Sequence, residues 1–91
     1  MTADKAAAAL ADAMQAAYYR GVFAEERNEL VEALAKNVKL STNALAAGRM
    51  AEVSNLRRII RQIEGDVRRI DRMVEALGRR FPDDDEVRLR A

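Results

Sequence analysis

Val53, Leu56, Ile60, Ile63, Val67, Ile70, Val74, Leu77 and Phe81 follow one another at alternating intervals of three and four residues. Such spacing lays all nine side chains along one side of an α-helix. A straight helix lets a strict seven-residue repeat drift by about 20° per heptad. Holding the stripe in register against a neighbour therefore requires left-handed supercoiling, so the segment is predicted to pack along its length against other helices. Val53, Ile60, Val67 and Val74 take the a positions of this heptad, and Leu56, Ile63, Ile70 and Leu77 the d positions. Ile59 and Met73 fall at g and widen the seam. A stripe of that width suits a bundle of three or four helices better than a two-stranded zipper.

The chain's single proline, Pro82, stops this helix, because the residue before a proline disfavours the α conformation. Gly78, with Arg79 and Arg80 to neutralise the last carbonyls, is a second stop signal. An end between Leu77 and Phe81 is expected. Upstream, Ser41-Thr42-Asn43 offers three good N-caps before Ala44-Leu45-Ala46-Ala47, and Asn37 is a fitting residue just past a helix end. These signals place a loop at residues 37–42. Gly48 is a competing break that would divide the chain into three helices.

The first half is rich in alanine, leucine and glutamate, all strong helix formers. Its apolar pattern is irregular. Leu10, Met14, Ala17 and Gly21 mark one face, whereas Phe23, Arg27, Leu30 and Leu34 mark another, and the change falls at Tyr19-Arg20-Gly21. Gly21 is read as a kink, a break or a point of close backbone approach.

The fold expected is all-α: a long antiparallel hairpin with helices over about 3–36 and 42–80 and a possible kink at Gly21. Residues 1–81 make up the hairpin, and 82–91 an acidic tail expected to be disordered. A hairpin of this length is a layer, and one layer leaves apolar stripes uncovered. Ninety-one residues without cysteine also lack a disulfide to support a small core. Two copies side by side form a four-helix bundle and solve both problems. A homodimer is therefore the preferred state, and a different protein covering the same seam the alternative.

Charge is uneven along the chain. Residues 1–48 carry a net −1, residues 49–80 a net +4 and residues 81–91 a net −2. Arg58, Arg61, Arg68, Arg72 and Arg79 line up opposite the seam and are candidates to track a phosphate backbone. Glu75 lies on the same face, Glu64 and Asp71 sit beside it, and no aromatic residue is there to stack on bases. A solvated outer face is the favoured reading, with nucleic acid the less favoured partner.

Tyr18, Tyr19 and Phe23 bring three of the chain's four aromatic residues within six positions and form a candidate partner surface. Filling space at the kink is the equal alternative. Glu25, Glu29 and Glu32 share a face, but without histidine they lack the Glu-x-x-His pattern of bundle metal sites. They read as an acidic face suited to pairing with arginines of the second helix, such as Arg57 and Arg80. In the tail, Val87 and Leu89 alternate with Arg88 and Arg90 after four consecutive acids; an untethered terminus is favoured over an added strand.

Catalysis has little support. Cysteine and histidine are absent, no glycine-rich phosphate loop is present, and Ser41 and Ser54 have no base close by in sequence. An arginine–carboxylate site inside a bundle would have to draw on Arg20, Arg27 or Arg49, since no arginine points inward between Val53 and Leu77. The chain is thus expected to be a non-enzymatic interaction module, with no cofactor, no metal and no small-molecule substrate. No apolar run approaches the roughly 20 residues of a membrane span, and no basic stretch precedes an apolar core near Met1. The arginine and alanine bias matches a GC-rich bacterial genome, so a bacterial cytoplasmic setting is expected.

Overall fold

The computed structural model describes residues 2–81. It consists of two helices, α1 (Thr2–Ala46) and α2 (Met50–Arg80), joined by a three-residue turn. The two pack against each other as an antiparallel hairpin. The turn-proximal core is Ala44 against Val53 and Leu56, and further out Arg27 meets Asp71 and Phe23 meets the end of α2 near Leu77. Residues level with one another across the hairpin thus have numbers that sum to about 98.

The connection lies at Gly48 and not at residues 37–42, and α1 runs unbroken through the latter. The reason lies in where the polar side chains find partners. Asn37 Nδ2 donates to the Ala33 carbonyl at 2.7 Å and Thr42 Oγ1 donates to the Val38 carbonyl at 3.1 Å. Both residues turn back onto the preceding helical turn instead of capping a new helix. Among the described residues, Gly48 alone adopts a left-handed backbone, with φ +74°. Its N–H bonds the Leu45 carbonyl at 3.1 Å, and the Arg49 N–H bonds the Ala44 carbonyl at 2.9 Å. This pair of bonds is a Schellman motif, which closes α1 and satisfies its last carbonyls. The Gly48 break therefore yields two helices, not three.

α2 begins from Arg49, whose Nε bonds Glu52 Oε2 at 2.6 Å, and it starts without a side-chain cap. At its far end Arg79 and Arg80 occupy the last turn, and the Phe81 N–H bonds the Leu77 carbonyl at 2.8 Å. The predicted stop before Pro82 is where α2 ends. The tail at 82–91, and with it the strand alternative at Val87 and Leu89, lies outside the described residues.

α1 is uninterrupted at Gly21, and a Cβ built there meets nothing within 4 Å, so no backbone comes close. Nor does the apolar pattern shift at this point. Ala16, Arg20, Phe23, Arg27, Leu30, Leu34, Asn37, Ser41 and Ala44 form one continuous row at alternating spacings of four and three. In that row Ala16 and Ala44 are buried, Arg27 bonds Asp71, and the others are half-buried. This row faces α2. Leu10, Met14, Ala17 and Gly21 begin a second row, which continues through Ala24, Asn28, Val31, Ala35, Val38, Thr42 and Leu45 along an adjacent face. The two stripes read from the sequence are parallel rows on one helix. Polar residues at 20, 27, 37 and 41 break up the inner row and hide it from a search for apolar periodicity.

The hairpin is one helix pair deep. It measures 68 × 24 × 15 Å, the long dimension matching the roughly 67 Å expected of a 45-residue helix. By the observed register α2 ends opposite residues 17–18, so the first four turns of α1 run past it. Leu10 and Met14 on that extension are 63% and 65% exposed.

Candidate interaction surface

The predicted seam is covered unevenly. Leu56, Ile63 and Ile70 at d, together with Val53, are buried against α1. Ile60, Val67 and Val74 at a, and Leu77, are only half-buried. One neighbouring helix cannot cover both sides of a stripe this wide. Both broad faces of the hairpin therefore keep apolar side chains in the open.

The first open face is centred on the g positions. Seven-residue intervals place Tyr19, Glu26, Ala33 and Leu40 along one flank of α1, and Ile59, Asp66, Met73 and Arg80 along the matching flank of α2. Near the end of α2 this face forms a shallow groove of about 410 Å³ lined by Tyr19, Phe23, Met73, Ala76, Leu77 and Arg80. A second hollow of about 210 Å³ adjoins it, sharing Tyr19, Leu77 and Arg80 and adding Asp12 and Phe81. Tyr19 is 43% exposed and stacks on Phe23 with ring centroids 6.3 Å apart, while Tyr18 meets Tyr19 edge-on at 5.6 Å. The three aromatic residues thus divide their roles: Phe23 and Tyr19 wall the groove, and Tyr18, 68% exposed, stands outside it. Arg80 lies over the Phe81 ring at 5.3 Å.

The second open face is the outer row of α1, with Val31, Val38 and Leu45 between 40% and 50% exposed. The half-open Ile60, Val67 and Val74 border it from α2.

Polar residues order these surfaces. Among the contacts between described residues, Asp71 of α2 meets an arginine across the hairpin, with Arg27 supplying the cation from α1. This reverses the polarity expected from the sequence, in which glutamates of α1 were matched to arginines of α2. Glu25, Glu29 and Glu32 stay on exposed surface. Arg58, Arg61, Arg68, Arg72 and Arg79 are exposed along the outer side of α2. Two of them engage neighbours on their own helix: Arg58 Nη2 bonds Asn55 Oδ1 at 2.6 Å, and Arg79 pairs with Glu75 at 3.4 Å. Arg20 and Arg27 both lie in the row facing α2, and Arg20 is half-buried.

Among the described residues no group of three or more acidic, histidine or cysteine side chains is arranged to hold a metal ion. No helix among them is long and apolar enough to cross a membrane. No family model, curated protein or solved structure matches the chain.

Proposed function

We propose that this chain is a helical interaction module that acts by self-association, two hairpins forming a homodimeric four-helix bundle through a coiled-coil-like seam. One observation carries the reading: a heptad-patterned hairpin only 15 Å thick leaves Tyr19, Leu40, Ile59 and Met73 open or half-open on one broad face, with Ile60, Val67 and Val74 half-buried at the edge of the other. Stable helical domains bury such residues between two layers, and here there is one. On this reading the module belongs in the bacterial cytoplasm, where a cysteine-free chain loses nothing to the reducing environment. Size-exclusion chromatography with light scattering over a hundredfold range of concentration tests it. Twice the chain mass is expected, and a folded monomer throughout would refute the proposal.

The outer row of α1 favours a second reading, that of an adaptor or regulatory subunit binding a different protein. A bundle that covers the g face leaves Leu10, Met14, Val31, Val38 and Leu45 in the open, as a strip of heptad spacing long enough for one further helix.

A further inference from the structure

We infer that the second copy covers the g face, related by a twofold axis parallel to the helices, so that α1 of one chain lies antiparallel against α2 of the other. This rests on the self-association reading and specifies its geometry. A twofold along the bundle keeps every residue at its own height. Residues that meet across the new contact then obey the same register as the hairpin itself, with numbers summing to about 98.

The side chains flanking that contact are those one step outward from the g row: Val22, Glu29, Lys36 and Asn43 on α1, and Asn55, Gln62, Arg69 and Ala76 on α2. The register matches them in kind. Val22 meets Ala76 of the second copy, apolar on apolar. Glu29 meets Arg69, acid on base. Lys36 meets Gln62, and Asn43 meets Asn55, amide on amide. Each match occurs twice by symmetry. Arg69 is already drawn toward this face by Asp66, 3.3 Å away, so its guanidinium needs little rearrangement to reach Glu29 of the second copy. Inside the flank, Leu40 and Ile59 from both chains form one apolar layer and the Met73–Tyr19–Phe23 groove is closed over, while Glu26 and Asp66 of both chains lie in the layers between, Asp66 beside Arg69.

The alternative twofold, perpendicular to the helices, stacks α1 on α1 and α2 on α2. It too gives Glu29 an opposite charge, at Lys36, but it sets Val22 against Asn43 and Ala76 against Asn55, so each apolar residue faces an amide. The outer α1 face is a poorer self-contact. A parallel twofold there sets apolar Val31 and Val38 against the charged Glu64, Arg61 and Arg68, three charged residues of α2 where the g face has Asp66 and Arg80. The size of the g face is adequate. α2 is about 46 Å long and two helices are about 20 Å wide, giving on the order of 900 Å² per chain, close to the roughly 800 Å² per partner of a stable interface.

A charge exchange on the full chain tests the arrangement. Glu29→Arg places like charges together twice, and it is expected to weaken dimerisation by about tenfold while leaving helicity by circular dichroism unchanged. Adding Arg69→Glu in the same chain restores attraction at both places and is expected to bring the dissociation constant back to near the wild-type value. Analytical ultracentrifugation reads both. A dimeric wild type that Glu29→Arg does not weaken, or whose weakening Arg69→Glu does not reverse, overturns this geometry and leaves self-association standing. A wild type that is monomeric at every concentration overturns both.

Discussion

Arg27 Nε donates to Asp71 Oδ1 at 2.7 Å, with Nη2 reaching Oδ2 at 3.5 Å, and this contact joins positions 44 residues apart. It sits in mid-hairpin, between the buried turn cluster and the aromatic end. Both side chains are about half exposed, so the pair specifies register more than it adds stability. Arg27→Asp is expected to lower the urea midpoint slightly, and the exchanged pair Arg27→Asp with Asp71→Arg to recover most of the loss. The difference should shrink at high salt, as screening removes an exposed interaction. A double-mutant cycle from urea melts at two salt concentrations checks this.

The same contact fixes an expectation for pH. The hydrogen bond from Arg27 to Asp71, and then the carboxylate's charge, raise the arginine's pKa further above its ordinary value. A group whose pKa rises on folding contributes fully below its unfolded pKa and loses that contribution only as pH climbs through the folded one. For arginine both lie in strong alkali. Arg27 should therefore add no slope to stability between roughly pH 6 and pH 9, and thermal melts across that range should show none attributable to an Arg27→Gln difference.

Ile63 and Met73 separate folding from assembly. Ile63 is buried against α1, and Ile63→Asp would bury a carboxylate without a partner, a change that proteins resist strongly. Helicity and association should be lost together. The milder Ile63→Ala should cost about 2–4 kcal/mol. Met73 is 39% exposed on the groove, so Met73→Asp should dissolve the dimer at micromolar concentration while circular dichroism still reports helix. A variant of Met73 that stays dimeric would place the contact elsewhere.

Two glycines should respond in opposite directions. Gly48 closes the hairpin at φ +74°, a conformation that costs an alanine roughly 1 kcal/mol or more. Gly48→Ala should lower the melting temperature. Gly21 sits in regular helix with open space around its Cα, so Gly21→Ala should stabilise by about 0.5–1 kcal/mol. If a different protein packs closely on the outer row of α1, the same substitution should weaken that binding.

The arginines of α2 give a direct test of the nucleic-acid alternative. Binding through Arg58, Arg61, Arg68, Arg72 and Arg79 must fall steeply with salt. A fluorescence titration with duplex DNA and with RNA at about 50 and 200 mM salt is expected to show at most weak retention at the lower value. Tight binding at the lower value that is lost at the higher would favour a phosphate-tracking role.

How much of this was legible beforehand differs between the two helices. α2 carries a strict apolar repeat, so Val53 to Leu77 could be read as a seam and the stop before Pro82 located from spacing alone. α1 has two sides to satisfy. Its inner row carries Arg20, Arg27, Asn37 and Ser41, and its outer row is apolar but uncovered by α2, so neither looks like a single amphipathic stripe. The same ambiguity misplaced the loop. Ser41, Thr42, Asn43 and Asn37 are capping residues by preference, and only the helix around them shows that Asn37 and Thr42 bond backward. Local sequence therefore determined that the chain is helical, where α2 ends and which of its residues face inward, because apolar spacing is a property of one helix alone. The turn at Gly48, the Arg27–Asp71 register and the uneven cover of the seam were decided by tertiary structure, because each depends on what lies across a gap from residues distant in sequence.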